Sequence, residues 1–216
     1  MNEELLAQRK YWNNEADAFQ RIYTHRKSKL SNMLDNVFRQ DMYERFVFTI
    51  KNCEPVKGRS FLDVGCGNGL YSFELARKDA HRVLGLDISE VMIGLCKEAS
   101  EKENFTDRCE FIQTDLLDYK SNEKFDVSFG IGLFDYIRDP LPVLKKMREM
   151  STDKVILAFP RYWTWRAPVR KARLNARGCD VFFYTKSRLN ELMRDAGFKR
   201  HEVYRVGKLH CVIAYV

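Results

Sequence analysis

The sequence of 216 residues predicts a single domain of the α/β class. Short apolar runs alternate with segments of helical spacing over most of the chain. One of these runs, Phe61 to Val64, leads directly into a glycine-rich turn. The chain closes with two strand-like runs separated by Gly207 and Lys208, a pair typical of a tight antiparallel hairpin. At this length the chain can build one large α/β core.

The glycine-rich turn predicts a nucleotide-type cofactor site. It follows Asp63 and carries glycine at positions 65, 67 and 69, which lets the backbone turn sharply and lie close to a ligand. The helix predicted from Leu70 to Arg77 would point its N-terminus at that ligand. A second acid, Asp87, ends the next apolar run eighteen positions after Gly69, where a carboxylate can accept hydrogen bonds from both ribose hydroxyls.

The glycine spacing separates two cofactor classes. The dinucleotide pattern G-x-G-x-x-G would need its third glycine at Leu70, but the chain has it at Gly69. The resulting D-x-G-x-G-x-G resembles the first motif of the class I S-adenosylmethionine (SAM)-dependent methyltransferases, whose glycine loop faces the methionine part of SAM. The resemblance covers roughly residues 58–216. It implies a three-layer Rossmann-like domain with a seven-stranded, mostly parallel sheet and a C-terminal antiparallel hairpin, preceded by a helical cap or lid over residues 1–57.

Later segments follow the family's motifs in order. The run from Cys109 to Leu116 resembles the third strand and the acid after it, which implies that the Asp115 carboxylate takes the adenine amino group. The run from Phe125 to Gly132 resembles the fourth strand, which ends beneath the sulfonium. SAM is the implied cofactor, S-adenosylhomocysteine the product, and no metal is required. The implied cofactor contacts are Tyr11, Asp63, Gly65, Cys66, Gly67, Gly69, Asp87, Ile88, Met92, Asp115, Leu116 and Gly130.

Other patterns complete the outline of the domain. A helix capped by Ser89 follows the second strand, and a fifth strand runs from Lys154 to Phe159. A helix from Lys186 to Ala196 precedes the final hairpin. The six cysteines form no C-x-x-C pair, and we expect most to be reduced and buried. No apolar run approaches the roughly 18 residues of a membrane span, and the N-terminus lacks the form of a signal peptide, so we expect a cytoplasmic protein.

A basic segment accounts for most of the net charge of +7, because residues 160–178 carry six basic and no acidic side chains. The segment follows the fifth strand, at the sheet edge where ligands bind in such folds. Three interpretations stay open: a solvated helix, a lid whose arginines pair with a carboxylate or phosphate of the acceptor, or a patch for nucleic acid or an anionic membrane surface. The lid interpretation makes an insertion at 160–184 part of the acceptor pocket. It names as substrate contacts Phe134, Arg161, Arg166, Arg170 and Tyr184.

Three residues are candidates for catalysis. Asp135 and Tyr136 follow the fourth strand, and His210 lies in the last predicted strand. Asp135 is equally suited to be a turn or cap residue, while Tyr136 and His210 fit packed positions. The N/D-P-P-Y/F sequence of members that methylate adenine or glutamine amides is absent after strand four, which argues against that subclass.

These observations favour a SAM-dependent methyltransferase that transfers a methyl group by in-line displacement to an oxygen or nitrogen of a small, anionic molecule. The first alternative is methylation of RNA or another macromolecule through residues 160–178. The second is a SAM-binding protein without catalysis. A dinucleotide oxidoreductase ranks behind both, because Leu70 replaces its third glycine.

Overall fold

The computed structural model describes residues 5–14, 32–162 and 180–216, without the side chains of 32–39 and 41. Arg166, Arg170 and Cys179 lie outside these ranges, as does most of the basic segment 160–178. Across the described residues, no helix is long and apolar enough to cross a membrane.

Helices and strands alternate along the described chain. The helices are α1 (5–14), α2 (Asn32–Cys53), α3 (Leu70–Arg77), α4 (Glu90–Glu103), α5 (Leu141–Glu149) and α6 (Lys186–Asp195). The strands are β1 (Ser60–Val64), β2 (Arg82–Asp87), β3 (Cys109–Gln113), β4 (Phe125–Ile131), β5 (Ser151–Pro160), β6 (Arg200–Val206) and β7 (Leu209–Tyr215).

The seven strands form one sheet in the order β3-β2-β1-β4-β5-β7-β6. Strands β1 to β5 pair in parallel, whereas β7 lies antiparallel between β5 and β6. This confirms the predicted Rossmann-like architecture and its closing hairpin. The strand order reverses direction between β1 and β4, and the carboxyl ends of these neighbours form the crevice in which ligands of such sheets bind.

The sheet is covered on both faces, so its central strands are apolar on both sides. Side chains of α2, α3 and α4 pack on one face, where Phe61, Val127 and Phe129 are fully buried. Side chains of α5 and α6 pack on the other face, against Leu62 and Leu157. The two helical layers cover the faces of the sheet. The loops that follow the parallel strands lie at its carboxyl edge, where they can form a site.

Local signals set most element ends where the sequence predicts them. Ser89 and Thr185 cap α4 and α6, each accepting a hydrogen bond from the backbone N–H three residues on. Gly207 adopts a φ of 52° in the hairpin turn. Strand β5 begins at Ser151, three residues earlier than predicted, because Ser151 pairs with Phe125 at the start of β4.

Candidate cofactor and acceptor site

The glycine loop after β1 adopts a backbone conformation that L side chains rarely take. Gly65, Gly67 and Gly69 have φ values of 72°, 54° and 75°. The N–H groups of Gly65 and Cys66 donate to the carbonyl of Leu86 at 2.8 and 3.0 Å, which holds the loop against the end of β2. The predicted close backbone turn is therefore present, with α3 starting directly behind it at Leu70.

Crowding around the loop also requires glycine. A Cβ on Gly69 would lie 2.7 Å from the ring of Phe73, and one on Gly85 would lie 2.5 Å from the ring of Phe111. A Cβ on Gly65 would approach Leu133, which follows β4, to 3.2 Å. The backbone is thus the surface that this loop presents to a ligand, as the cofactor interpretation demands.

Asp87 ties the glycine loop to the turn after β2. Its Oδ2 accepts from the N–H of Gly67 at 2.9 Å, and its Oδ1 accepts from the N–H of Ser89 at 2.8 Å. Burial raises the pKa of Asp87, although these backbone hydrogen bonds oppose the change. Each carboxylate oxygen has a second acceptor position, so Asp87 can also accept from ribose hydroxyls.

Asp63 lies beneath the loop and is 2% exposed. Its Oδ2 accepts from the hydroxyl of Ser72 at 2.7 Å. Burial raises the pKa of Asp63 to about 7, and the negative charge of Asp87 acts in the same direction. Asp63 therefore shapes the loop from inside the protein, and its charge state depends on pH near neutrality.

The predicted adenine end lies after β3. The Oδ1 of Asp115 accepts from the N–H of Leu117 at 2.6 Å, which closes a tight turn, while Leu116 is buried. At the start of α4, Met92 is 2% exposed and Ile88 is partly exposed. Asp115 and Ile88 are thus partly accessible at the predicted end, whereas Leu116 and Met92 pack beneath it.

Two thiols lie against the glycine loop. The sulfurs of Cys66 and Cys96 are 3.9 and 3.2 Å from the carbonyl oxygen of Gly67. Cys66 is buried, and its pKa is raised well above the ordinary value by a hydrogen bond with Cys96 and by burial. All five cysteines within the described ranges are free and buried, and they are Cys53, Cys66, Cys96, Cys109 and Cys211.

Helix α1 lies across the carboxyl edge of the sheet. In the N-terminal half of α1, the Nε2 of Gln8 donates to the carbonyl of Tyr136, after β4, at 2.7 Å. At the C-terminal end of α1, the Oδ1 of Asn13 accepts from the hydroxyl of Ser89, after β2, at 2.6 Å. The ring of Trp12 packs edge-on against Tyr136 at 5.2 Å and against Tyr11 at 5.4 Å. The helix therefore bridges the two loops on either side of the glycine turn.

The segment after β4 contains three predicted site residues, Phe134, Asp135 and Tyr136. Phe134 is fully buried, with its ring centroid 4.6 Å from that of Phe159. Asp135 is 6% exposed, and its carbonyl accepts from the N–H of Phe182 at 2.8 Å. Because Phe134 has no exposed surface, it supports the site from below and offers no face to an acceptor.

Tyr184 connects the β4 loop to the segment before α6. Its hydroxyl lies 3.2 and 3.3 Å from the carbonyl oxygens of Phe134 and Ile137, to which it donates. Burial, with the nearby charge of Asp135, raises the pKa of Tyr184 above its ordinary value. The hydroxyl is therefore a protonated donor at neutral pH, and its hydrogen bonds hold the two segments together.

A cavity of about 280 Å³ lies at the end of β5. We call it the cationic pocket, and the described residues that line it are Arg161, Tyr162, Tyr184, Thr185, Lys186 and His210. Arg161 directly follows β5. His210 lies near the start of β7, where it pairs with Phe159 of β5. The structure thus brings His210, Arg161 and Tyr184 together, while Asp135 and Tyr136 stand on the adjoining loop.

Arg45 on α2 lies beside the candidate site, although no sequence pattern predicted it there. Its Nη1 lies 3.3 Å from where a Cβ on Gly132 would be, directly after β4, and Gly132 has a φ of 84°. The guanidinium also opposes the rise that burial causes in the pKa of the Cys211 thiol. A positive charge therefore stands at the end of β4. No motif surrounds Arg45, so only its folded position reveals it.

No cluster of three or more His, Cys, Asp or Glu side chains that could hold a metal ion occurs within residues 5–14, 32–162 and 180–216. The glycine-lined crevice, with the Asp87 carboxylate beside it and the Arg45 guanidinium at the end of β4, fits a nucleoside cofactor bearing a carboxylate, such as SAM.

Comparison with known proteins identifies relatives. Residues 55–205 match the family model described as a methyltransferase domain. The tRNA U34 carboxymethyltransferase of Haemophilus ducreyi is 26% identical over 115 residues, which are 53% of this chain and 35% of that protein. The ubiquinone biosynthesis O-methyltransferase of Coxiella burnetii is 35% identical over 92 residues, which are 42% of this chain and 38% of that protein. The chain thus matches well under half the length of these curated relatives.

A solved structure resembles the whole chain. The magnesium protoporphyrin IX methyltransferase of Synechocystis PCC 6803 with bound S-adenosylhomocysteine superimposes with a TM-score of 0.80 at 20% identity, covering 99% of both chains. At this identity the likeness supports the fold. Since the family model covers most of the chain and the glycine loop has the geometry that its motif requires, the chain belongs to the class I SAM-dependent methyltransferases.

Proposed function

We propose that this protein transfers a methyl group from SAM to a small, anionic molecule. The observation that carries the proposal is the position of α1, which reaches from Ser89 after β2 to Tyr136 after β4 and so covers the glycine loop. A helix in this position limits the size of an acceptor and excludes water from the space beneath it. We further propose that the N-terminal region, residues 1–57, acts as the cap of the site.

Residues of the described loops would hold SAM along its length. The carboxylate of Asp87 would accept from the ribose hydroxyls, and Asp115 with the backbone of Leu116 would receive the adenine. Arg45 would pair with the carboxylate of the methionine part, because its guanidinium stands at the end of β4 beside Gly132. When bound, SAM supplies a methyl group on a positively charged sulfur.

The acceptor side lies between the β4 loop and the cationic pocket. Tyr136 and Trp12 provide an aromatic wall there, with ring centroids 5.2 Å apart. Asp135 and His210 are the proposed proton acceptors. Burial and the positive charges of Arg161, Lys186 and Arg205 lower the pKa of His210, so the imidazole is neutral at pH 7 and able to take a proton. An amine acceptor would need only to be held in its neutral form.

RNA is the second candidate acceptor. It is supported by the similarity to a protein named as a tRNA carboxymethyltransferase and by the six basic side chains of residues 160–178. Its affinity would fall steeply with salt, with a slope near the number of phosphates contacted. A small acceptor would show no such slope.

Isotope transfer tests the proposal. The protein is incubated with methyl-labelled SAM and, in separate reactions, with a metabolite extract and with total RNA, and label is located by mass spectrometry. Label in a small acidic metabolite is the expected result. Label in RNA alone would replace the proposal with the second candidate, and absence of label in both, with SAM binding intact, would count against transfer to either class.

A variant at Asp87 links the label to the proposed site. Asp87→Ala should abolish the thermal shift that SAM produces, while the domain stays folded. A matched control is Asp118→Ala, which removes a carboxylate at an exposed position near the end of β3. Retained SAM binding in Asp87→Ala would overturn the ribose assignment.

A further inference from the structure

The cationic pocket gathers four basic side chains from separate parts of the fold. Arg161 directly follows β5, Lys186 begins α6, and His210 lies in β7. Arg205 of β6 pairs in register with His210 and adds a fourth basic group beside the pocket. None of these four side chains forms an ion pair with a carboxylate among the residues that the structure describes.

Burial and their mutual repulsion lower the pKa values of two of them. Burial and the charge of Arg205 lower the pKa of Arg161. Burial, followed by Arg161, Lys186 and Arg205, lowers the pKa of His210. Like charges gathered in a partly buried cavity destabilise each other, and a bound anion would remove that cost.

The pocket is also organised to receive an anion. The Nη1 of Arg161 donates to the carbonyl of Gly207 at 3.3 Å, which fixes the guanidinium in place. The Oγ of Thr185 already accepts from the N–H of Arg188, so its proton can be donated into the pocket. The volume of about 280 Å³ exceeds that of one small oxyanion, so part of a larger molecule can enter with it.

The pocket adjoins the place where transfer is proposed. Tyr184 lines it and donates to carbonyls of the β4 loop, on either side of Asp135 and Tyr136. An acceptor anchored in the pocket can therefore extend its other end toward the end of β4. This geometry connects an anchoring site to a transfer site through a single buried side chain.

We propose that the cationic pocket binds a phosphate group of the acceptor, and this inference rests on the proposed function. Two cations that line the pocket, Arg161 and Lys186, with Arg205 beside it, match a doubly charged phosphate better than a single carboxylate. His210 faces Arg161, Lys186 and Arg205, and a bound phosphate offsets their charge and so raises the pKa of His210. A ring N–H of the neutral imidazole can donate to the bound phosphate.

Inorganic phosphate is the probe for the test. Calorimetry at pH 7.5 should show saturable phosphate binding to the full chain, weaker by about tenfold or more in Arg161→Gln/Lys186→Gln. Lys145→Gln, which removes a charge from an exposed position on α5, is the matched control and should bind as the wild type does. The pKa of His210, followed by NMR of labelled imidazoles, should rise when phosphate is added.

Several results would overturn the inference: no saturable binding, an equal loss in Lys145→Gln, or acetate binding more tightly than phosphate. The thermal shift with SAM checks that each variant is folded. Lys186 is exposed, so Lys186→Gln alone carries the test if the double variant does not fold. Phosphate binding without methyl transfer to any small molecule would count against the proposed function and leave the pocket assignment standing. Methyl transfer to an anionic acceptor with an unchanged KM in Lys186→Gln would count against the pocket assignment and leave the proposed function standing.

Discussion

The buried carboxyl of Asp63 should make the stability of this fold depend on pH. Burial raises its pKa from 3.8 to about 7, whereas the hydrogen bond from Ser72 acts in the opposite direction. In the unfolded chain the ordinary value applies, so folding takes up a proton between these two pH values. The contribution of the neutral carboxyl is therefore complete below about pH 4 and is lost as the pH rises through about 7.

The size of the effect follows from the two pKa values. Each pH unit between them costs about 1.4 kcal/mol, so the full loss is about 4 kcal/mol, of which about 3 kcal/mol falls between pH 5 and pH 8. Asp63→Asn carries a neutral amide at every pH and keeps an oxygen that can accept from Ser72. The free energy of unfolding of both proteins is measured with urea at pH 5 and pH 8, without SAM. From pH 5 to pH 8 the wild type should lose about 3 kcal/mol of stability relative to Asp63→Asn.

Asp126 provides a control of opposite sign. Burial alone would raise its pKa, but the N–H and hydroxyl of Ser60, at 2.7 and 2.8 Å, and the charge of Arg59 outweigh it and lower the pKa. The contribution of the ionised Asp126 carboxylate to stability is present above pH 4 and is lost only as the pH falls through the lowered pKa. The free energy of unfolding of Asp126→Asn should therefore differ from that of the wild type by a constant amount between pH 5 and pH 8. Parallel profiles for Asp63→Asn and the wild type would refute the reasoning.

Four further predictions concern the packing of two glycines and the binding of the cofactor. Gly85→Ala should lower the free energy of unfolding by about 1–3 kcal/mol, because its Cβ would meet the ring of Phe111 at 2.5 Å. Gly94→Ala, in α4 with open space around it, should raise that free energy by about 0.5–1 kcal/mol, and chemical denaturation measures both. Arg45→Gln should weaken SAM binding roughly tenfold or more in calorimetry, through loss of a charged pair, and an unchanged Kd would remove Arg45 from the site. Asp87→Asn should also weaken SAM binding, since one of its two acceptor oxygens becomes a donor group. An unchanged thermal shift with SAM would contradict the assignment of Asp87 to the ribose.

Most of the fold could be predicted because its signals are local. The strand that ends at Asp63, the helix cap at Ser89 and the hairpin at Gly207 each depend on a few neighbouring residues, and each appears where the sequence predicts it. Element ends were less certain, as the early start of β5 at Ser151 illustrates. That start depends on pairing with β4, a partner distant in the chain.

The candidate site divides in the same way. Glycines with positive φ after β1 and an acid at the end of β2 can be recognised from sequence, because glycine takes that φ without steric cost and both features stand at fixed spacing from the strands. The position of Phe134 after β4 predicts a substrate contact, yet its side chain is fully buried in the core. Position along the chain does not specify which way a side chain faces once a strand has ended.

The sequence by itself determined the order of the elements, the glycine loop and the two acids beside it, because these follow from local conformational preferences. Only the tertiary structure decided that Arg45 stands at the end of β4, that α1 crosses the crevice, and that Arg161, Lys186 and His210 share one cavity. These residues are far apart in the chain and belong to no common motif. They meet because the parallel strands end at one edge of the sheet and the antiparallel β7 begins at that same edge.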